Sequence, residues 1–489
     1  MQFLAMDPTS VVAWILWGLV LVALAGVVYA LVTDDREPTI VLAWLFVILL
    51  LPVVGIVAYF FVGRDFRRQT TRRETARAAE AGLTTHRLAP MLGANRTFSE
   101  DVTASLDGTP GQRVERAGHH EGGMVPLPAD SVRLYFAGAD KFADLLTDMR
   151  AARRYIHLMY LIWEMDRLTA EVSDILLERL RAGVEVHILY DWLSSLPYKK
   201  RELKRLAEAG ATVVPCYKRM AQLNYRNHMK MVIIDAEVVY SGGMNMGQEY
   251  IDGGKRFAVW RDTHFRMTGP VITPYLALFA SIWRLNARKE DLFTDYAPAP
   301  VLHAPDDGIA VQVLHSSVST LFPTLRDVFV VALTTARRRV WIQSPYFVPD
   351  EPLITAMCVA AASGVDVRLM MTGLPDKKVP FYAAHSYYRK LLDAGVVVYQ
   401  YKAGFLHAKA VTVDDDLAII GTCNWDIRSL ILHDEVVSVF HDAGIAKDSA
   451  RQYEQDIADC REVTLEDLEA LSPRERVRNS LCRLVSRLL

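Results

Sequence analysis

The chain has 489 residues, enough for two or three domains and a large core. A formal net charge of −2 gives it no general attraction for nucleic acid, and its five cysteines are scattered and without metal-ligand spacing, as expected of reduced thiols. Hydrophobic residues make up 51%, more than an ordinary soluble enzyme carries.

The excess sits at the start. Residues 11–32 (VVAWILWGLVLVALAGVVYALV) and 39–63 (TIVLAWLFVILLLPVVGIVAYFFVG) contain no charged side chain. At about 1.5 Å of rise per residue, each can cross a hydrocarbon layer of about 30 Å as a helix. Only residues 33–38 separate them, so residues 1–68 are expected to form a transmembrane hairpin. A cleaved signal peptide fits less well: the first ten residues lack Lys and Arg, and a second apolar run follows at once. Arg64, Arg67, Arg68, Arg72 and Arg73 crowd behind the second run, whereas the short loop holds one Arg against three acids. By that asymmetry the rest of the chain is expected on the cytoplasmic side, with a multi-pass, membrane-embedded anchor.

Residues 69–130 mix charges and contain LDGTPGQRVERAGHHEGG, without periodicity, and are expected to be a linker. The adjacent His119 and His120 lie in its Gly-rich part and carry little weight as a metal pair. From about residue 131 strands and helices alternate. YIHLMYLIW (155–163), GVEVHILYD (183–191) and ATVVPCY (211–217) read as strands, with helices over AEVSDILLERLRA (170–182) and KRELKRLAEAG (200–210). The pattern then recurs. RVWIQSPYFVPD (339–350), GVDVRLMMTG (364–373) and VVVYQY (396–401) are strands, separated by helices through LITAMCVAAAS and SYYRKLLDAG.

Internal spacing supports a duplication. Gly183 and Gly364 lie 181 positions apart, Gly210 and Gly395 185, and His228 and His407 179. The fold class is therefore α/β, with largely parallel sheets, in two similar domains at 131–300 and 301–475. The end of the chain, 476–489, alternates Leu and Arg at helical spacing and is expected to be an amphipathic helix packed on the domain.

Each copy carries an unusual stretch. NHMKMVIIDAEVVYSGGMN (227–245) and HAKAVTVDDDLAIIGTCN (407–424) place His228, Lys230 and Asp235, and His407, Lys409 and Asp414, at identical offsets. Strand side chains alternate, so the His and Lys of each copy share a face. Burying them is costly unless they are paired or used. Both stretches end in a small-residue turn and an amide, Asn245 and Asn424. If both histidines face one cleft, one imidazole can attack a phosphodiester phosphorus while the other protonates the departing alkoxide and later deprotonates an acceptor hydroxyl. Lys230, Lys409, Asn245 and Asn424 can stabilise the charged phosphoryl oxygens. No cofactor and no metal is required. A carboxylate behind each imidazole would orient it, and Asp262 and Glu435 are the candidates.

The double H-x-K-x(4)-D pattern, each followed by Gly/Ser/Thr-x-Asn, resembles the phospholipase D superfamily. The two apolar runs, GGMNMGQEY…WRDTHFRMTGPV, SPYFVPD and GFLHAK together resemble bacterial cardiolipin synthases of the membrane-anchored type. That resemblance implies two tandem phospholipase D-like domains sharing one active site. It also implies phosphatidyl transfer between two phosphatidylglycerol molecules through a phosphatidyl-histidine, releasing glycerol. His228 is then the nucleophile and His407 the general acid and base, with Asp235 and Asp414 as signature members more structural than chemical. Asp262 and Glu435 match positions whose carboxylates hold the histidines. The chain departs from the family pattern in RSLILHDEV, in Cys423 and in GQEY. The alternatives are a phospholipase D, or a transferase using another acceptor such as phosphatidylethanolamine. A nuclease would need a basic stripe that this near-neutral chain lacks, and a catalytically dead scaffold would not need both triplets intact.

Overall fold

The computed structural model describes residues 8–33, 38–59, 95–195, 201–218, 225–287, 308–317, 320 and 322–486. The arginines after residue 63, the first part of the expected linker and residues 487–489 lie outside those described. The chain forms two units, Met1–Phe66 with Lys218–Asn224, and Arg67–Tyr217 with Tyr225–Leu489.

In the first unit, α1 (Pro8–Val32) is followed by α2 (Pro38–Leu50) and α3 (Pro52–Ala58). The second apolar run is thus broken rather than continuous. Pro52 has no N–H to donate and cannot continue the preceding helix without a bend. Val27, Leu31, Ile48 and Tyr59 pack together, while Trp14, Trp17, Leu42, Phe46 and Leu49 are exposed. Among the described residues no helix is long and apolar enough to cross a membrane; several α1 side chains lie outside those described.

The second unit is built on two large sheets. The strands are β1 (Leu127–Ala129), β2 (Ser131–Tyr135), β3 (Tyr155–Tyr160), β4 (Glu185–Asp191), β5 (Thr212–Cys216), β6 (Met231–Ile234), β7 (Val238–Gly242), β8 (Trp260–Arg261), β9 (His264–Thr268) and β10 (Ile309–Ser316). They continue with β11 (Arg339–Gln343), β12 (Phe347–Val348), β13 (Asp366–Thr372), β14 (Val397–Tyr401), β15 (Phe405–Leu406), β16 (Ala410–Val413), β17 (Leu417–Gly421), β18 (Trp425–Asp426), β19 (Glu435–His441) and β20 (Cys460–Val463). One sheet runs β2-β9-β7-β6-β3-β4-β5 and the other β1-β10-β19-β17-β16-β11-β13-β14-β20. Without its edge strands β1 and β20, the second repeats the first strand for strand. Two short pairs complete the set, β8 with β15 and β12 with β18.

Neither sheet is largely parallel. In the seven-stranded sheet β3, β4 and β5 run parallel, whereas β3/β6, β6/β7, β7/β9 and β2/β9 are antiparallel. Helical crossovers join the parallel strands; tight turns join β6 to β7 and force reversal. Asp235 and Ala236 make that turn at φ 55° and 58°. The central strands are buried along their whole length, as sheets covered on both faces require. Phe142, Leu145, Val172 and Leu176 of the covering helices meet Ile156, Leu158, Ile188 and Val232 in one core.

Residues 95–129, expected as linker, are folded. Helices α4 (Arg96–Ser105) and α5 (Pro110–Gly122) precede β1, which pairs with β10. The Gly- and Pro-rich string is a helix start: Thr109 accepts the Gln112 N–H, Pro110 occupies the first turn, and Gly123 ends the helix in the left-handed region. His119 and His120 therefore lie in the last turn of α5. The final helix spans Pro473–Ser486 and packs on the helix Lys378–Asp393, with the Arg478 guanidinium 3.8 Å from the Tyr382 ring centroid.

Candidate active site

His228 and Lys230 do not lie within a regular strand; they lead into β6, which begins at Met231. Backbone bonds fix them to the other half. The His228 N–H donates to the Asp434 carbonyl at 3.0 Å, and the His407 N–H to the Arg261 carbonyl at 2.7 Å. Each carbonyl belongs to the residue just before a buried acid, so each histidine meets the acid of the opposite half. His228 Nδ1 lies 2.8 Å from Glu435 Oε1 and His407 Nδ1 lies 2.6 Å from Asp262 Oδ2. Asp262 and Glu435 are fully buried. The two carboxylates are where imidazole orientation needs them, but the pairing crosses between copies.

Each acid is gripped by its own half before it reaches across. Asp262 Oδ1 accepts the Thr263 N–H at 2.7 Å. A Cβ on Gly243 would stand 2.0 Å from that oxygen, so only glycine fits there. At the matching position Thr422 donates its hydroxyl to Glu435.

Lys230 Nζ donates to the His228 carbonyl at 2.5 Å, and Lys409 Nζ to the His407 carbonyl. Burial lowers Lys230 to about 7 and Lys409 to about 8, partly opposed by Glu435 and Asp262. Asn245 Nδ2 donates to the Tyr250 hydroxyl at 3.1 Å and Asn424 Nδ2 to Ser429 Oγ at 3.3 Å. Both Oδ1 atoms are buried without a hydrogen-bond partner among the described residues.

Burial drives His228 well below its ordinary range, and the charges of Lys230, His433, Lys409 and His407 add to that. Burial likewise lowers His407 to about 4, with Lys409 adding and Asp262 opposing. Both rings are therefore neutral at pH 7. At His407 the hydrogen bond between Nδ1 and Asp262 leaves Nε2 as an unprotonated, nucleophilic nitrogen, whereas His228 Nδ1 stands close to Glu435 without a hydrogen bond. Each histidine thus stands against an acid of the other copy, which brings residues of both copies together.

Asp235 and Asp414 are not part of that chemistry. Asp235 accepts the backbone N–H groups of Arg153, Arg154 and Tyr155, and Asp414 those of Arg337, Arg338 and Arg339. Each pins the start of a central strand from a left-handed backbone position, φ 55° and 49°, that Asp tolerates better than most residues. Three site residues escaped the sequence reading. Tyr250 places its hydroxyl 3.3 Å from His407 Nδ1, the Trp260 ring centroid is 6.1 Å from that of His407, and the His433 ring centroid is 5.8 Å from that of His228. Tyr250 and His433 lie in the strings GQEY and HDEV, at the departures from the family pattern; only the crossing of the halves reveals their neighbours.

The model for the phospholipase D-like domain of cardiolipin synthase matches residues 145–283 and again 329–457. Cardiolipin synthase 1 of Bacillus cereus is 32% identical over 97% of this chain and 93% of its own length. This chain belongs to the cardiolipin synthase family. The major cardiolipin synthase ClsA of Bacillus subtilis is also 32% identical, over 93% of this chain and 95% of its own. A phospholipase D-nuclease N-terminal model matches residues 15–64, the region of the apolar hairpin. Among solved structures, phosphatidylserine synthase of Haemophilus influenzae matches with a TM-score of 0.60 at 16% identity, covering 77% of this chain and 100% of that one. At that identity the likeness concerns the fold.

Proposed function

We propose that this protein joins two phosphatidylglycerol molecules into cardiolipin and glycerol. His228 Nε2 attacks the phosphorus of the first lipid, the bond to its head-group glycerol breaks, and the departing oxygen takes a proton from His407. A hydroxyl of the second lipid's glycerol then gives its proton to His407 and attacks the phosphorus; the P–N bond breaks and His228 is regenerated. Burial favours the neutral His407 ring. A bound phosphodiester offsets the charge of Lys409 and favours the imidazolium, which Asp262 steadies. Lys230 and Lys409 hold the two non-bridging oxygens, with Asn245 and Asn424 completing the grip.

The observation that supports this reading is the crossed pair of His–carboxylate contacts, each beside a buried lysine. The same reading puts the hairpin, 11–32 and 39–63, in the bacterial cell membrane with the catalytic unit cytoplasmic. Its charge-free runs and exposed Trp and Leu side chains support this, as does the arginine cluster behind it. Anchoring concentrates the enzyme where its lipid substrates lie. The test is incubation of purified protein with pure phosphatidylglycerol in a chelator. Cardiolipin and glycerol in equal amounts are expected; phosphatidic acid as the sole lipid product would overturn the synthase reading.

A further inference from the structure

The final helix, Pro473–Ser486, turns polar side chains inward and apolar ones outward. Asn479 and Ser486, two turns apart on one face, are 3% and 8% exposed, and Cys482 between them packs against the core. Val477, Leu481 and Leu484 follow the spacing i, i+4, i+7 on the opposite face and are 58%, 57% and 65% exposed. A helix that served only to complete the core would bury those three instead.

Charge says what the stripe meets. The helix holds Arg474, Arg476, Arg478 and Arg483 against one acid, Glu475, whose carboxylate accepts the Ser472 N–H and hydroxyl at 2.9 and 2.8 Å. At 100° per residue Arg474 falls on one flank of the stripe and Arg483 on the other, both exposed. Arg476 lies beside Arg483 and donates to the carbonyls of Leu471 and Glu469. An apolar stripe between cations fits a bilayer surface with anionic head groups: the aliphatic side chains enter the acyl boundary while the guanidiniums stay among the phosphates. The place in the fold suits this. Arg478 and Arg483 lie over Tyr382 and Tyr387 of the helix Lys378–Asp393, so the two helices run side by side. That second helix begins near the candidate active site, where the charge of Lys377 acts on His433.

We propose that the outer face of the final helix, Val477, Leu481 and Leu484 flanked by Arg474 and Arg483, is a membrane-docking surface that seats the catalytic unit on anionic lipid. A hairpin anchor alone tethers the chain; this face brings the catalytic unit down onto the leaflet and leaves it less freedom to turn away.

The readout is contact with the bilayer, so failure of the synthase reading would leave it intact. A fluorescent amino acid is incorporated in place of the exposed Ser480, beside the stripe, in the full-length protein. The protein is reconstituted into nanodiscs whose lipids carry a quencher on the acyl chain, of phosphatidylcholine alone or with phosphatidylglycerol added. Quenching about threefold or more stronger with phosphatidylglycerol is expected. Val477→Ser, Leu481→Ser and Leu484→Ser together are expected to abolish it. Arg474→Gln with Arg483→Gln leaves the stripe in place and is expected to remove the preference for phosphatidylglycerol, which serves if the triple variant does not fold. No quenching in the wild type, the result if a second copy or another part of this chain covers the stripe, would overturn the proposal. So would a triple variant quenched like the wild type, or equal quenching with and without the anionic lipid.

Discussion

The two halves of the catalytic unit share a seven-strand order and the same His-Lys-Asp offsets, yet they surround their histidines differently. His228 faces a glutamate with a third imidazole behind it. His407 faces an aspartate, with Tyr250 and Trp260 beside it. What the halves keep in common is skeletal: strand order, the backbone bond that hangs each histidine on the opposite chain segment, and the buried aspartate that pins each central strand. What differs lies within a few ångströms of the imidazoles. A duplicated scaffold supplies two like settings for a histidine; in the proposed mechanism their unlike neighbours suit one for attack and the other for proton transfer.

The strongest way to break that comparison is to remove each imidazole. His228→Ala and His407→Ala are each expected to lower turnover by about 10³-fold or more while far-UV circular dichroism stays native. Wild-type-like turnover in either would remove that histidine from the mechanism. The carboxylates come next, with losses of roughly 10²- to 10⁴-fold for an acid-to-amide change behind a catalytic imidazole. Because the pairing crosses, Glu435→Gln should slow the burst of glycerol, and Asp262→Asn should slow the following transfer to the acceptor. The reverse assignment in rapid-quench experiments would mean that each acid serves its own copy.

A smaller effect follows from the lysines. An ammonium is present below its pKa and lost above it, so kcat/KM should fall as pH rises past about 7 for Lys230 and again past about 8 for Lys409. Lys230→Met should leave only the later limb; a flat profile from pH 6 to 9 in the wild type would show that neither charge is used. The smallest effect on turnover belongs to the signature aspartates. Asp235→Ala leaves three backbone N–H groups without their acceptor, a cost of about 2 kcal/mol or more in stability. Thermal denaturation should show the loss, with activity per folded molecule retained.

Much of this was legible in the sequence because it was written twice. The repeat of His228, Lys230 and Asn245 as His407, Lys409 and Asn424 marks the site without any structure, since nothing in core packing asks for an ammonium two places from an imidazole in both copies. Partnership was less legible. Asp262 follows His228 in the chain and Glu435 follows His407, and linear order carries no trace of the crossing. It arises where Phe405–Leu406 pairs with Trp260–Arg261 and Asn227 bridges Asp434, contacts between residues more than 140 positions apart. Sheet direction is hidden for a local reason: the Asp235–Ala236 turn is tight enough to reverse the chain, but contains neither Gly nor Asn-Gly to announce it. The segment around Thr109 and Pro110 resembles a linker in sequence because a capped helix start and a flexible loop draw on the same residue types.

The central claim is that His228 forms the bond to phosphorus and His407 moves the protons. Intact mass and peptide mapping of the His407→Ala protein after exposure to phosphatidylglycerol tests it most directly. One phosphatidyl group on the peptide containing His228, absent from the His228→Ala protein, is the expected result; an adduct on His407 in the His228→Ala protein, with none on His228 in its counterpart, would contradict the account.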